Sequence, residues 1–237
     1  MERLDKILAS TGRWSRREVK DLIRAGRVTV NGLPAVGPED KAEREHDIRV
    51  DGEPVSCAQY TYLMLHKPAG LVSATEDPRE PTVLSLLPEH LQKIGLFPAG
   101  RLDKDTVGLL LLTNDGPLAH DLQAPQKHVD KTYLVRVEGT FEEADIQAFQ
   151  EGLTLADGYT CLPAGLELLG PGEALVTLRE GKYHQIKRMC AARGKPVVFL
   201  KRLTFGPLKL DESLAPGAWR ELTAEELTEL KGLPTRT

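Results

Sequence analysis

The fold of this chain is decided by GRLDKDTVGLLLLTNDG, residues 100–116. The first half of this stretch is polar and carries Arg101, Asp103 and Asp105, and the second half contains the apolar run 109–112. Because the run is short and is followed by the turn signal Asn-Asp-Gly, it predicts a buried strand. A charged turn ahead of a buried strand holds its side chains at a fixed place on a sheet, as catalytic groups require. Local chemistry leaves a second interpretation open, since an Asp in a turn commonly bonds only the nearby backbone.

Length and composition narrow the class of protein. The 237 residues suffice for one large domain or for a medium and a small one, and 41% hydrophobic residues predict a packed core. No apolar run approaches the roughly 18 residues of a membrane span, and the charged start MERLDKILAS has no signal core. Three widely spaced cysteines, Cys57, Cys161 and Cys190, fit neither a disulfide framework nor a metal knuckle. We therefore expect a reduced, cytoplasmic protein.

The charge distribution indicates a polyanionic partner. The net charge is −4, yet residues 1–34 carry eight basic against four acidic side chains, and residues 179–202 carry eight against one. Two basic patches on an acidic chain suit a protein that contacts nucleic acid on one side. The alternative is that both patches are ordinary solvated faces.

The first 34 residues predict a compact RNA-docking unit. The spacing of Leu4 and Leu8 predicts a first helix, and Ser-Arg-Arg-Glu at 15–18 predicts the capping box of a second. A strand at 28–30 and an Asn-Gly hairpin turn follow. The segment resembles the S4 RNA-binding domain, which implies that the basic residues away from the apolar stripe of the second helix contact RNA. These residues are Arg16, Arg17, Lys20 and Arg24.

Four sequence blocks, in order, resemble a known enzyme family. KPAG at 67–70, GRLD at 100–103, DKTY at 130–133 and EGKYHQIKRM at 180–189 resemble motifs of the pseudouridine synthases, specifically the RsuA/RluB group acting on ribosomal RNA. The resemblance implies an α+β fold. A small S4-like α/β RNA-binding domain, residues 1–55, would precede a pseudouridine synthase catalytic domain, residues 59–237, with a mixed, mainly antiparallel sheet and flanking helices. The boundary would fall in the turn-rich stretch between about residues 52 and 59.

The resemblance also implies a site. Asp103 would act on the ribose, either as a nucleophile at C1′ or as a base at C2′, and Lys187 would be its cationic partner. Many related proteins carry Arg at that position, and Lys keeps the charge but loses the bidentate fork. Tyr133 would stack on the uracil, Leu200 would form an apolar wall, and Arg101 would contact a phosphate or fill the place of the flipped base.

The reaction is an isomerisation, so the resemblance implies no metal, redox cofactor or nucleotide. The sequence agrees, because it has no phosphate-binding glycine motif and no zinc-ligand cluster. Within the group the blocks look closest to the RsuA branch, which implies one uridine of small-subunit ribosomal RNA. We expect a monomer that acts on a ribosomal assembly intermediate. Two alternatives stay open, a large-subunit RNA target and a non-catalytic S4-type assembly factor.

Overall fold

The structure is a computed structural model and describes residues 1–124, 127 and 129–233. Contacts within the chain divide it into two compact units, Met1–Thr61 with Leu87–Leu96 and Tyr62–Leu86 with Phe97–Thr237. The segment Leu87–Leu96 thus groups with the first unit, although the sequence placed it within the second domain. The domain limits 1–55 and 59–237 stay a prediction.

The first unit is built from short elements. They are β1 (Glu2–Arg3), α1 (Leu4–Ala9), α2 (Arg16–Arg24), β2 (Val28–Val30), β3 (Leu33–Pro34), β4 (Lys41–Ala42), β5 (Ile48–Val50), β6 (Glu53–Pro54) and α3 (Glu89–Gln92). Strands β3, β2, β5 and β6 lie side by side in that order, and β1 pairs with β4.

Helix α2 begins as the sequence predicts. Ser15 Oγ accepts a hydrogen bond from the Glu18 amide at 3.2 Å, and Glu18 Oε2 accepts one from the Ser15 amide at 2.6 Å. This capping box satisfies two amides that the helix itself leaves unpaired. The apolar side chains of α1 and α2 share one buried cluster with those of β2 and β5. The basic side chains of α2 lie on its other side.

The second unit contains the longer strands. Its elements are β7 (Tyr62–Lys67), a 3₁₀ turn (Val83–Leu86), β8 (Phe97–Ala99), β9 (Val107–Thr113), α4 (Gly116–Gln123), β10 (Lys131–Val137), α5 (Glu143–Glu151), β11 (Gly165–Gly170), β12 (Glu173–Leu178), α6 (Gln185–Ala192), β13 (Val197–Arg202), β14 (Thr204–Phe205), β15 (Leu208–Lys209), β16 (Trp219–Glu221) and α7 (Ala224–Lys231). Across the described ranges, no helix is both long enough and apolar enough to cross a bilayer.

The main sheet has the strand order β11-β12-β10-β13-β9-β7-β16, with β8 also paired to β9. Strands β13 and β9 are parallel, and the other neighbours are antiparallel. The predicted α+β class with a mixed, mainly antiparallel sheet is therefore confirmed. All four leucines of the run 109–112 are 0% exposed on β9. The polar loop ahead of β9 is thus attached to a strand held in the core.

Strand β13 is less buried than its apolar sequence predicts. Val198 is 60% exposed, whereas the sequence indicates a buried strand. The reason lies in the pairing, because β13 meets β9 only at Lys201 and Arg202. The first half of the strand therefore has a neighbour, β10, on one side only.

A buried cluster of charged side chains holds the segment that follows α6. Asp145 on α5 is 0% exposed and accepts hydrogen bonds from Arg193 Nε at 2.7 Å and from Lys195 Nζ at 2.9 Å. Burial acts to raise the pKa of Asp145, but the bonds from Arg193, Lys195 and the Glu142 amide outweigh it and lower the pKa below 3.8. The carboxylate therefore fixes the chain that follows α6.

Asp145→Asn should lower the free energy of unfolding by about 2–3 kcal/mol at neutral pH, since it leaves two cations without their charge partner. Because the pKa is lowered in the folded state, this contribution exists above pH 3.8 and is lost as pH falls through the folded-state value. Urea unfolding between pH 7 and pH 3 checks both points. Asp157→Asn, which removes an exposed pair with Arg188, is the matched control and should change stability little. Equal losses in the two variants, or a constant difference between Asp145→Asn and the wild type at every pH, would contradict this.

Candidate active site

The second unit contains an open cavity of about 80 Å³ beside the loop that precedes β9. Its walls come from that loop, from β10 and β13, and from the segment between β12 and α6. The lining residues are Arg101, Leu102, Asp103, Thr106, Tyr133, Leu178, Glu180, Gly181, Lys182, His184, Gln185, Ile186 and Leu200.

Asp103 lies between two basic side chains. Its Oδ2 is 3.2 Å from Lys187 Nζ and its Oδ1 is 3.5 Å from His184 Nε2, with the side chain one quarter exposed. Lys187 also donates to Asp105 at 2.5 Å. Burial acts to lower the pKa of Lys187, but the bonds to the two carboxylates outweigh this and raise it. The bond from Lys187 likewise lowers the pKa of Asp105. Lys187 is therefore held as a cation against Asp103.

Tyr133 and Leu200 form the apolar side of the cavity. Leu200 on β13 is paired with Val135 on β10, two residues from Tyr133, so the side chains of Tyr133 and Leu200 lie on the same face of the sheet. They are 8% and 7% exposed. Arg101 is exposed and lines the same cavity. The cavity thus combines charged groups on one side with a flat apolar wall on the other.

The structure brings together five residues that the sequence predicts for the site. Arg101, Asp103, Tyr133 and Leu200 line the cavity, and Lys187 contacts Asp103. The other predicted residues, on α2, belong to the first unit and line no part of this cavity. These are Arg16, Arg17, Lys20 and Arg24. The roles of all these residues stay predictions.

Lys67 holds the loop of Asp103, a role for this side chain that the sequence motifs do not predict. The motif KPAG predicts a turn that supports the wall, but the register of β7 on β9 places Lys67 directly opposite Gly108. Its ammonium group, 0% exposed, donates to the backbone oxygens of Asp103, Lys104 and Thr106 at 3.1, 3.2 and 2.9 Å. Burial lowers the pKa of Lys67 to about 8 although nearby carboxylates oppose it.

Lys67→Met should destabilise the protein by about 3 kcal/mol, because Met fills the space but leaves buried carbonyl groups unpaired. We also expect kcat to fall by about 10- to 100-fold, since the loop of Asp103 loses its support. Urea unfolding and steady-state kinetics measure the two effects. Lys131→Met is the matched control, because Lys131 is also buried with its pKa lowered to about 8 but donates to one carbonyl, that of Val129. A loss in Lys67→Met no larger than in the control would contradict the assignment.

Arg202 supports the loop from the other neighbouring strand. It is 1% exposed, and its guanidinium donates to the Leu109 oxygen at 2.7 Å and to the Gly100 oxygen at 3.0 Å. The group also lies over the ring of Phe205 at 5.1 Å. Both ends of the segment 100–109 are therefore bound to β13, and its middle is bound to β7 through Lys67.

The cysteines are free and buried at Cys57, Cys161 and Cys190. Burial raises the pKa of Cys190 to about 12, so its thiol is unreactive near neutral pH. In the part of the chain that the structure describes, no three side chains of His, Cys, Asp or Glu are grouped as metal ligands would be.

The fold and the cavity define a class of protein. A carboxylate held by a cation lines the same cavity as an aromatic and an aliphatic side chain, and the first unit presents basic residues on a helix. Such an arrangement suits an enzyme that rearranges a nucleoside within RNA, with the carboxylate acting at the sugar.

Comparison with known proteins identifies the family. The model of the RNA pseudouridylate synthase family matches residues 61–192, and that of the S4 domain matches residues 2–43. An uncharacterized RNA pseudouridine synthase of Bacillus subtilis, YtzG, is 47% identical over 95% of this chain and 96% of its own length. Ribosomal small subunit pseudouridine synthase A of Escherichia coli K12 is 42% identical over 96% of this chain and 99% of its own. The chain belongs to the RNA pseudouridylate synthase family.

A solved structure supports the same conclusion. The crystal structure of a pseudouridylate synthase superposes with a TM-score of 0.70 and 38% identity, covering 97% of this chain and all of the other. The family and the two domain types predicted from the sequence motifs are thereby confirmed. The protein is a pseudouridine synthase whose substrate is RNA.

Proposed function

We propose that the protein converts one uridine of small-subunit ribosomal RNA to pseudouridine. The reaction breaks the bond between N1 and C1′, turns the freed uracil and joins its C5 to C1′, with no net oxidation and no hydrolysis. The observation that carries this proposal is the Asp103 carboxylate, held by Lys187 beside an open cavity that Tyr133 and Leu200 also line. The choice of RNA rests on relatives that are named for the small ribosomal subunit and are 42% identical over almost the whole chain.

Asp103 acts on the ribose in this proposal. An anionic carboxylate can attack C1′, or it can remove a proton from C2′ so that the base leaves and a glycal forms. Lys187 stabilises the anion in both routes, because a nearby cation offsets the cost of burying a negative charge. Deuterium at C2′ of the target uridine separates the two routes, since it slows only the one that breaks the C2′–H bond.

The remaining cavity residues hold the flipped nucleotide. Taking a base out of an RNA stack costs a few kcal/mol, which contacts in the pocket must offset. Tyr133 stacks on the uracil, and Leu200 forms an apolar wall of the same pocket. Arg101, exposed at the cavity, contacts a phosphate or occupies the place that the base has left.

The basic face of α2 supplies affinity through phosphate contacts. Arg16 and Arg17 are exposed, and neither forms an ion pair with any residue that the structure describes. Lys20 and Arg24 continue the same helix. Contacts of this kind position RNA without reading its sequence, so selection of the uridine depends on RNA shape and on the cavity.

Exchanging Arg16 and Arg17 together for Gln should weaken binding to the RNA transcript and should reduce its salt dependence. Each lost phosphate contact reduces the magnitude of the negative slope of log K against log salt by about one. We therefore expect the slope of the double variant to be less steep by one to two. Filter binding between 50 and 300 mM salt measures it. Arg49→Gln is the control, because Arg49 already pairs with Asp47, and this variant should keep the wild-type salt dependence. An unchanged slope in the double variant would remove α2 from RNA binding.

The decisive experiment is pseudouridine mapping of ribosomal RNA from cells with and without the gene, by carbodiimide-dependent reverse-transcription stops. We expect one site to disappear from small-subunit RNA and to return with the wild-type gene but not with Asp103→Asn. A site lost from large-subunit RNA would keep the chemistry and overturn the proposed substrate. If no site disappears and the purified protein converts no ribosomal transcript, the proposal fails and an RNA-binding assembly factor fits better.

We further propose that the protein acts as a cytoplasmic monomer on an assembly intermediate, in which the uridine is still accessible. Purified protein, incubated with naked small-subunit RNA, with RNA carrying early ribosomal proteins and with complete subunits, tests this. Conversion should be fastest in the partly assembled particle. Equal rates on naked RNA and on the particle would contradict the preference.

A further inference from the structure

The aromatic side chain of Tyr183 is exposed to solvent. All Phe, Tyr and Trp residues of the chain lie among the described residues, and Tyr183 alone is exposed, at 74%. The other exposed large apolar side chains are aliphatic, or Met1 at the start of the chain. Tyr183 also lies between two residues that line the cavity, Lys182 and His184. An exposed ring at the entrance of a site is a surface on which another flat ring can stack.

The ring of Tyr183 stacks on the ring of His184, which contacts the Asp103 carboxylate. It lies parallel to the His184 imidazole, with 3.8 Å between centroids and 19° between planes. His184 in turn lies 3.5 Å from Asp103 and adopts a left-handed backbone conformation with φ of 49°. The other non-glycine residues in that region, Asn31 and Asp51, lie in hairpin turns. Strain of this kind is typical of functional sites.

The segment around Tyr183 is already ordered. The buried Glu180 carboxylate accepts hydrogen bonds from the Tyr159 hydroxyl and from Gln185 Nε2, both at 2.6 Å. Gln185 Oε1 accepts a hydrogen bond from the Lys182 amide at 2.9 Å. The chain is therefore held on both sides of Tyr183. A ligand that stacks on a fixed ring loses less free energy to ordering than one that stacks on a mobile ring.

Charge indicates what that ligand is. Residues 179–188 carry four basic side chains and one acidic one. Arg179 and Arg188 have carboxylate partners, but Lys182 beside Tyr183 forms no ion pair with any described residue and lies over the Tyr159 ring at 4.9 Å. A flat exposed ring flanked by a cation suits a nucleotide, whose base stacks while its phosphate is attracted.

We propose that Tyr183 is the stacking platform for an unpaired RNA base adjacent to the target uridine. The inference rests on the proposed function and extends it to a second nucleotide. Tyr183 stacks on His184, and His184 contacts Asp103, so a base on Tyr183 lies close to the cavity that holds the target uridine. Stacking there holds the strand at the cavity entrance while the uridine is inside. Recognition of this kind tolerates different bases, because every base has a flat face.

Steady-state kinetics on the ribosomal transcript tests the platform. Tyr183→Leu should raise KM by about 5- to 100-fold and leave kcat within about twofold, and Tyr183→Phe should match the wild type. The melting temperature should not change, because the side chain is exposed. Leu169→Ala, which truncates another exposed apolar side chain, is the control and should have no effect. An unchanged KM in Tyr183→Leu, or an equal rise in the Leu and Phe variants, would overturn the inference.

A binding readout separates this inference from the isomerase reaction. 2-Aminopurine is placed in turn at each nucleotide next to the target, and its fluorescence is followed as Asp103→Asn protein binds. Stacking should quench the 2-aminopurine fluorescence at one of these positions. The double variant, with Tyr183→Leu added to Asp103→Asn, should show no such quenching. Quenching that persists in the double variant refutes the platform even if the enzyme is active. If the wild-type enzyme converts no transcript, the proposed function is refuted. The fluorescence quenching still tests separately whether a base stacks on Tyr183.

Discussion

Asp103→Asn should abolish isomerisation, with a loss of at least about 10³-fold in kcat, and should leave RNA affinity within a few-fold of the wild type. The amide has nearly the same shape, so contacts that bind RNA are kept. It lacks the negative charge that both proposed routes need at the sugar, and such groups commonly contribute several orders of magnitude. Single-turnover release of tritium from uridine labelled at C5, together with filter binding, measures the two quantities.

The matched control is Asp105→Asn, two residues away. Asp105 pairs with the same Lys187, but its side chain is 72% exposed and it does not line the cavity. We expect a loss of less than about tenfold, because Lys187 still contacts Asp103. Asp103→Ala, which cannot revert to Asp by deamidation, should be as inactive as Asp103→Asn. Substantial activity in Asp103→Ala would remove this carboxylate from the mechanism.

Gly108→Ala should cost more than about 4 kcal/mol and should prevent folding at growth temperature. Gly108 has φ of +103°, and a Cβ there would lie 2.2 Å from the Arg202 oxygen and 2.8 Å from the Arg202 amide nitrogen. These are backbone atoms of the adjacent parallel strand, so no side-chain rotation relieves the contact. Separation of β9 from β13 would also remove the support that Arg202 gives to the loop of Asp103.

Gly139→Ala isolates the effect of the clash. Gly139 also has a positive φ, +86°, but a Cβ at that position meets nothing within 4 Å. Gly139→Ala should therefore lower the free energy of unfolding only by the cost of the backbone strain, about 1 kcal/mol. Urea unfolding of both variants, with far-ultraviolet circular dichroism at low temperature, makes the comparison. Similar losses in the two variants would show that the close approach of β9 and β13 is not decisive.

The pairing of β9 with β13 also explains how the site is assembled. Asp103 and Lys187 are 84 positions apart, yet their charged atoms are 3.2 Å apart. Leu200 reaches the same cavity because β13 lies between β10 and β9. Motif resemblance predicts that such residues act together, but the spacing within one sequence does not show which strands are neighbours.

The sequence by itself determined the local structure and the family. The capping box at Ser15 and the apolar run 109–112 are patterns of residues a few positions apart, and the order of the motif blocks is read directly along the chain. The tertiary structure alone decided where the side chains of Lys67, Arg202 and Tyr183 lie. A buried Lys that donates to the loop of Asp103, and an aromatic ring left exposed to solvent, follow from strand register and from distant packing, which local patterns do not encode.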